Sequence, residues 1–84
     1  MNDEEARAVV AAAVREIAPE AALDGLAGDA DLREELGLDS MDVLNLALAL
    51  EERTGVGIPE RDYPQLATLD GCVRCLLMTP RRAV

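Results

Sequence analysis

A serine that directly follows an aspartate is the group in this sequence best placed to do chemistry. Ser40 follows Asp39 within the segment 35–41, ELGLDSM, where glycine and aspartate indicate a turn that leads into a helix. A hydroxyl at a helix start is exposed, and the helix dipole stabilises a phosphate formed there. Such a serine can accept a phosphoryl group when a base or a metal helps to remove its proton. The alternative is an ordinary cap, with Asp39 or Ser40 capping the helix and Asp42 completing a weak capping box.

Length and composition predict a single small helical domain over residues 1–84. Half of the residues are apolar, and Tyr63 is the only aromatic residue. The apolar residues are mainly Ala, Leu and Val, which favours closely packed helices over a β-sandwich. A chain of this size buries roughly 60–65% of the surface that it exposes when unfolded, so its core must be compact.

Strong negative charge narrows the classes of partner. Seventeen Asp and Glu residues oppose eight Arg residues, which gives a formal net charge of −9. Nucleic acids and anionic membranes repel such a chain, so we expect basic protein surfaces as its partners. Residues 29–52 contain eight of the acids and one base, Arg33, and they bracket Ser40. We interpret this run as a docking surface, although a solvated helix face has the same composition.

The sequence lacks the features that direct a chain into or across a membrane. No apolar run approaches the roughly 20 residues that a spanning helix needs. Residues 1–5 are acidic where a secretory signal is basic and then apolar. We therefore expect no membrane insertion and a cytoplasmic location.

Apolar spacing and capping residues predict an all-α fold, a small four-helix bundle of three main helices and a short third one. The first predicted helix is capped by Asn2 or Asp3 and ends before Pro19, and the second runs from about Ser40 to Thr54. The third, short helix runs from Glu60 to Tyr63 and is closed by Pro64. The fourth is capped by Thr68 and stops at Thr79-Pro80. A further turn of helix is expected at 31–36, inside a long connection whose leucines pin it across the bundle.

The second predicted helix has two apolar stripes when its residues are placed at helical steps. Its core face consists of Val43, Leu46, Ala47, Leu50 and Thr54, and its polar arc consists of Asp42, Asn45, Ala49, Glu52 and Arg53. The second apolar stripe consists of Met41, Leu44 and Leu48. This stripe lines a cavity or contacts a partner, unless the helix is simply covered on both sides. The core stripe of the last helix is predicted as Leu69, Cys72, Val73, Leu76 and Leu77.

Three segments, in order, resemble the acyl carrier protein family of phosphopantetheine-binding carriers. Residues 32–42, LREELGLDSMD, are similar to the attachment signature of that family. Residues 50–59, LEERTGVGIP, resemble its acidic helix end and Val/Ile-x-Ile-Pro turn, and residues 66–69, LATL, match the start of its last helix. The resemblance covers nearly the whole chain, and it implies the carrier fold.

The resemblance also implies a function without catalysis. A phosphopantetheinyl transferase would attach 4′-phosphopantetheine from coenzyme A to Ser40, and Asp39 matches the acid that precedes the modified serine. The thiol of that group would hold acyl intermediates as thioesters for fatty-acid or polyketide-type biosynthesis. Enzymes that load, condense or transfer acyl groups would dock through basic patches; the positions implied for this contact are Met41, Asp42, Leu44, Leu48, Glu51 and Glu52. Because the chain starts at Met1 without a flanking linker, we expect a freestanding carrier. We also expect this carrier to be a monomer.

Several residues depart from the pattern of many fatty-acid carriers. Asn45 replaces an acid, Thr54 replaces a frequent aromatic residue, and Tyr63-Pro64 replaces acidic positions, so the pathway and the shape of the acyl cavity stay open. An aminoacyl or peptidyl carrier would use Ser40 in the same way, but it usually has a glycine pair before the serine, where this chain has Leu38. A helical adaptor without a prosthetic group would leave Ser40 without a role. A small enzyme is disfavoured by the absence of His, Lys, Trp and Phe.

Cys72 and Cys75 form a C-x-x-C motif that we interpret as structural. Zinc requires four ligands, and the sequence offers no histidine and no third cysteine. A thioredoxin-type motif requires a βαβ context, which this sequence lacks. Three residues apart on one helix, the two side chains are expected to fill core or near-surface positions, without an internal disulfide and without a metal site.

Overall fold

The computed structural model describes residues 1–21, 23 and 25–78, and within them the chain is all-α, as predicted. In chain order the helices are α1 (Asp3–Ile17), α2 (Leu32–Leu36), α3 (Ser40–Thr54), a 3₁₀ helix (Glu60–Ala67) and α4 (Leu69–Met78). Helix α1 packs against α3 and α4, and the 3₁₀ helix also packs against both members of that pair. No helix in this described part of the chain is long and apolar enough to cross a membrane.

The helix starts are set by side chains that satisfy backbone N–H groups. At α1, the Asn2 side chain accepts from the Glu5 N–H at 2.8 Å, and the Glu5 carboxylate accepts from the Asn2 N–H at 3.1 Å. At α4, the Thr68 hydroxyl accepts from the Gly71 N–H at 2.9 Å. Of the two caps predicted for α1, Asn2 is the one observed, and the cap predicted at Thr68 is confirmed. Each contact satisfies a donor that the first helical turn leaves unpaired. The predicted stop at Thr79-Pro80 lies outside the described residues.

The third helix was predicted to end at Tyr63, and this was wrong. The 3₁₀ helix continues to Ala67 and contains Pro64 in its interior. A proline removes one N–H and fixes φ near the helical value, which a short 3₁₀ segment tolerates. Leu66 is fully buried, so its contact with the core holds the chain in this conformation beyond the proline.

One apolar core joins all five elements. The largest fully buried side chains come from α1, α2, α3, the turn after α3, the 3₁₀ helix and α4; they are Val10, Val14, Leu32, Leu46, Leu50, Val56, Leu66 and Cys72. Burying a leucine of this kind stabilises the fold by roughly 1.5–3 kcal/mol. Leu32 and Leu38 are both buried, which confirms that leucines pin the long connection across the bundle.

The predicted helix faces need two corrections. Ala49 was assigned to the polar arc of α3 but is only 6% exposed, because α1 and the 3₁₀ helix cover more of α3 than one stripe. Leu77 was assigned to the core face of α4 but is 41% exposed, and Cys75 is buried in its place. The packing of α1 and the 3₁₀ helix on α4 places the covered arc over Cys75 and away from Leu77.

Candidate functional site

The start of α3 settles which residue caps this helix. The Asp42 N–H donates to Asp39 Oδ1 at 2.9 Å, and the Asp39 N–H donates to Asp42 Oδ2 at 3.1 Å. Asp39 is therefore the N-cap, within a complete capping box. Ser40 occupies the first helical position with its side chain exposed. The cap considered as an alternative is real, but it is supplied by Asp39 and does not need the Ser40 hydroxyl.

The residues before Ser40 deliver it to this position. Gly37 ends α2 in the left-handed conformation, with φ 69° and ψ 30°, which strains any residue that carries a Cβ atom. Leu38 then turns into the core and is 9% exposed. Because Gly37 reverses the chain and Leu38 anchors it, the next two residues face outward at the start of α3. Within the segment 37–40, the first residue turns the chain, the second anchors it in the core, the third caps α3 and the fourth exposes its hydroxyl.

A cavity of about 470 Å³ opens beside Ser40. Its walls come from α2, α3 and the 3₁₀ helix, and the lining residues are Arg33, Ser40, Val43, Tyr63, Pro64 and Ala67. A slightly larger cavity, about 530 Å³, lies along the connection after α1 and does not include Ser40. We place the candidate site at the smaller of these two cavities, because Ser40, whose hydroxyl can act as a nucleophile, lines it.

The second apolar stripe of α3 remains largely uncovered. Met41 is 62% exposed and Leu48 is 50% exposed, while Leu44 is half-buried. The alternative that α3 is covered on both sides therefore fails for Met41 and Leu48. Glu52 is exposed on the same helix, so the surface beside Ser40 combines apolar and acidic groups. Such a surface suits a partner that offers both basic and apolar contacts.

Two of the acids assigned to docking also have structural contacts. Asp42 belongs to the capping box, and Glu51 Oε1 accepts from the backbone N–H of Ile58 at 2.8 Å. The second contact ties the turn after α3 to the helix end, and Ile58 is 4% exposed. Sequence reasoning missed it, because no pattern marks a carboxylate that reaches a backbone group seven residues further on. Glu52 is the cleaner probe of docking.

The comparison with protein families decides the assignment. The family model for the phosphopantetheine attachment site matches residues 8–76, which include all of the site described above. The chain belongs to the phosphopantetheine-binding acyl carrier protein family. Helices α2 and α3 and the 3₁₀ helix, which line the cavity beside Ser40, therefore lie within a carrier domain.

Curated acyl carrier proteins are similar to parts of this carrier. The acyl carrier protein of Wolinella succinogenes is 44% identical over 41 residues, which cover 49% of this chain and 54% of that protein. The acyl carrier protein of Campylobacter hominis is 38% identical over 50 residues, 60% of this chain and 63% of that protein. The mitochondrial acyl carrier protein of Neurospora crassa is 35% identical over 51 residues, 61% of this chain and 38% of that protein. The chain thus spans less than two thirds of the length of each.

The site fits the prosthetic group of the carrier family, a covalently attached 4′-phosphopantetheine. Attachment requires an exposed hydroxyl, and the Ser40 side chain is exposed. A phosphodiester requires stabilisation of negative charge, which the first turn of α3 supplies through its N–H groups and dipole. Within the described residues no group of three or more His, Cys, Asp or Glu side chains is arranged to hold a metal ion.

The two cysteines of the carrier are buried, as expected for core positions, and no disulfide joins them. The Cys72 Sγ lies 3.6 Å from the carbonyl oxygen of Leu66, to which it donates. Burial, followed by the charge of Cys75, raises the pKa of the Cys72 thiol from 9.0 to about 12. Since the thiolate is the reactive form, we expect Cys72 to react slowly with oxidants and alkylating reagents near neutral pH.

The raised pKa of Cys72 predicts a loss of stability in alkaline solution. The unfolded thiol ionises near pH 9 while the folded thiol stays protonated, so its contribution is complete below about pH 9 and is lost as pH rises towards about 12. Over this range we expect the free energy of unfolding of the wild type to fall by roughly a few kcal/mol more than that of Cys72→Ala. This difference is the free energy that corresponds to the shift in the pKa of Cys72 between the unfolded and folded states. Denaturant unfolding at several pH values measures this difference. Parallel pH curves for the two proteins would contradict it.

Proposed function

We propose that the chain is an acyl carrier in which Ser40 bears the 4′-phosphopantetheine group and Asp39 positions it. The observation that supports this most directly is the exposed Ser40 at the first position of α3, where Asp39 already caps the helix. The hydroxyl is therefore available to react without loss of a structural contact. The described helices share one core, which supports a single carrier domain.

The attachment step uses the Ser40 oxygen as the nucleophile. This oxygen forms a bond to the pantetheine-bearing phosphorus of coenzyme A while the pyrophosphate P–O bond breaks. Adenosine 3′,5′-bisphosphate leaves with the bonding electrons, and the serine proton passes to a base on the phosphopantetheinyl transferase, which also supplies Mg²⁺. The positive end of α3 stabilises the phosphodiester, and the capping box keeps Ser40 at that end.

Once attached, the group supplies a terminal thiol that holds an acyl chain as a thioester. The chain itself acts by presentation: a flexible tether on Ser40 raises the local concentration of the acyl group at each partner enzyme. We assign no catalytic residue to the chain, in agreement with the absence of histidine and lysine from its sequence. An aminoacyl or peptidyl carrier would use Ser40 identically; the names of the relatives favour the acyl carrier.

Partner enzymes dock on the α3 surface in this proposal. Met41 and Leu48 supply exposed apolar contacts, with Leu44 beside them, and Glu52 supplies an exposed charge. Asp42 and Glu51 add negative potential to the same surface while they hold the helix start and the turn. Basic patches on the transferase and on acyl-loading, condensing and acyl-transferring enzymes complement this surface. A monomeric state stays a prediction. A cytoplasmic location also stays a prediction, since one relative is named as mitochondrial.

The proposal is tested by intact-mass measurement of the folded chain. Incubation with coenzyme A, Mg²⁺ and a promiscuous phosphopantetheinyl transferase is expected to add one phosphopantetheine. A folded chain that stays unmodified with transferases of several specificities would contradict the assignment as a carrier.

Charge reversal at Glu52 is expected to slow loading. Replacing Glu52 with lysine removes an attraction to a basic docking patch and adds a repulsion. For a transferase with such a patch, kcat/KM should therefore fall roughly three- to tenfold at low salt. This fall corresponds to about 1 kcal/mol of lost electrostatic attraction. The deficit should shrink at high salt, because salt screens exposed charges.

The matched control for Glu52→Lys is Glu20→Lys, the same charge change at an exposed position outside α3. We expect this control to load at the wild-type rate. Equal slowing of both variants would indicate a response to net charge alone, and docking through Glu52 would be abandoned. Transferase assays across a salt series give all of these rates.

A further inference from the structure

Arg33 lines the same cavity as the proposed attachment residue, Ser40. The cavity of about 470 Å³ lies within the range of ligand pockets, roughly 300–1,000 Å³. The backbone of Arg33 is held at the start of α2, where its N–H donates to Asp31 Oδ1 at 2.9 Å. The backbone of a cationic residue is thus held at the wall of the cavity that Ser40 also lines.

Arg33 takes no part in the ion pairs of the described residues. Those pairs join Arg7 to Asp3 and Asp70, and Arg53 to Glu16. The absence of a partner has a geometric reason: acids one and two positions away on a helix do not face the guanidinium, and Asp31 is engaged as the cap of α2. Arg33, the single base within the acidic residues 29–52, therefore keeps the N–H donors of its guanidinium available.

A cation at this place would stabilise a phosphodiester on Ser40. Asp39 and Asp42 lie at the start of α3, where their carboxylates are held by hydrogen bonds of 2.9 and 3.1 Å. A phosphodiester on the neighbouring Ser40 adds a third negative charge, and like charges repel one another. The first turn of α3 offsets part of this repulsion, and a guanidinium, whose planar donors match phosphate oxygens, offsets more.

We infer that the cavity beside Ser40 is a binding site for the first part of the phosphopantetheine arm, with the Arg33 guanidinium on the phosphodiester. The inference rests on the proposed attachment at Ser40. Val43, Pro64 and Ala67 form an apolar wall that covers the methyl groups of the arm next to the phosphate. The half-buried Tyr63 places a phenol in the same wall, where it can bond an amide of the arm. The arm therefore rests along the 3₁₀ helix between encounters.

The test compares the holo forms of the wild type, Arg33→Gln and Arg33→Lys by ³¹P NMR. Intact mass first shows that each protein carries one phosphopantetheine, and far-UV circular dichroism shows that each is folded. We expect the phosphodiester resonance of Arg33→Gln to be displaced and narrowed relative to the wild type, because the ion pair is lost. Arg33→Lys should lie between them, since lysine keeps the charge but not the planar fork. Raising salt should move the wild-type resonance toward that of Arg33→Gln.

The matched control is Arg61→Gln, the same substitution at an exposed arginine that lines a different cavity. Its resonance should superimpose on that of the wild type. A resonance unchanged by Arg33→Gln, or changed equally by Arg61→Gln, would overturn the inference while leaving attachment at Ser40 intact. A wild type that gains no mass would overturn the attachment, and the inference with it.

Discussion

The Ser40→Ala variant is expected to gain no mass under conditions in which the wild type gains one phosphopantetheine. Ser40 is the only serine in the chain, and alanine offers no oxygen to attack phosphorus. The fold should be retained, because Asp39 supplies the cap and alanine is a good helix former. We expect the free energy of unfolding to change by less than about 1 kcal/mol. Intact mass and denaturant unfolding measure the two quantities.

The control for Ser40→Ala is the loss of a hydroxyl at another helix start. Thr68→Ala removes the oxygen that accepts from the Gly71 N–H, so it should cost about 1 kcal/mol of stability and leave loading complete. We therefore expect Ser40→Ala to lose the modification and keep its stability, and Thr68→Ala to keep the modification and lose stability. A Ser40→Ala protein that still acquires the group would place the attachment at another residue.

The Gly71→Ala variant is expected to show the largest loss of stability among single-methyl additions to the chain. A Cβ atom at Gly71 would collide with the carbonyl oxygen of Gln65 and lie 2.9 Å from Thr68 Oγ1. Replacing glycine by alanine inside an exposed helix usually stabilises it by up to about 1 kcal/mol. Here we expect destabilisation by about 3 kcal/mol, because backbone must move to admit the methyl group.

Gly37→Ala separates this collision from backbone strain. Gly37 has φ 69°, and no atom lies within 4 Å of the point that a Cβ atom would occupy there, so alanine should cost only about 1–2 kcal/mol. Urea unfolding followed by helical circular dichroism compares the two variants with the wild type. A Gly71→Ala protein as stable as the wild type would show that the 3₁₀ helix and α4 can separate without cost.

Local chemistry made the elements near Ser40 predictable. The bounds of α3 follow from Asp39 as its cap and from Gly55, which ends it in the left-handed conformation with φ 72°. The turn of α2 follows in the same way from Asp31 and Gly37. These signals act within one helical turn, so a reader of the sequence has all of the determinants in view.

Contacts between distant segments were beyond the sequence. The burial of Ala49 and Cys75 depends on where α1 and the 3₁₀ helix pack, and the packing of the 3₁₀ helix also carries that helix past Pro64. The cavity joins Arg33 to Tyr63, which are far apart in the sequence, and no periodicity links such residues. The motif therefore identified the candidate attachment residue, whereas the surroundings of that residue required the fold.

At the start of α3, the residues that hold the helix and the residue proposed for modification are different ones. Because Asp39 and Asp42 hold the helix start between them, addition or removal of a group on Ser40 breaks no hydrogen bond of the capping box. The unmodified and modified forms can then share the same start of α3. If Ser40 is the attachment residue, as proposed, the group can be removed and renewed without rebuilding the start of α3.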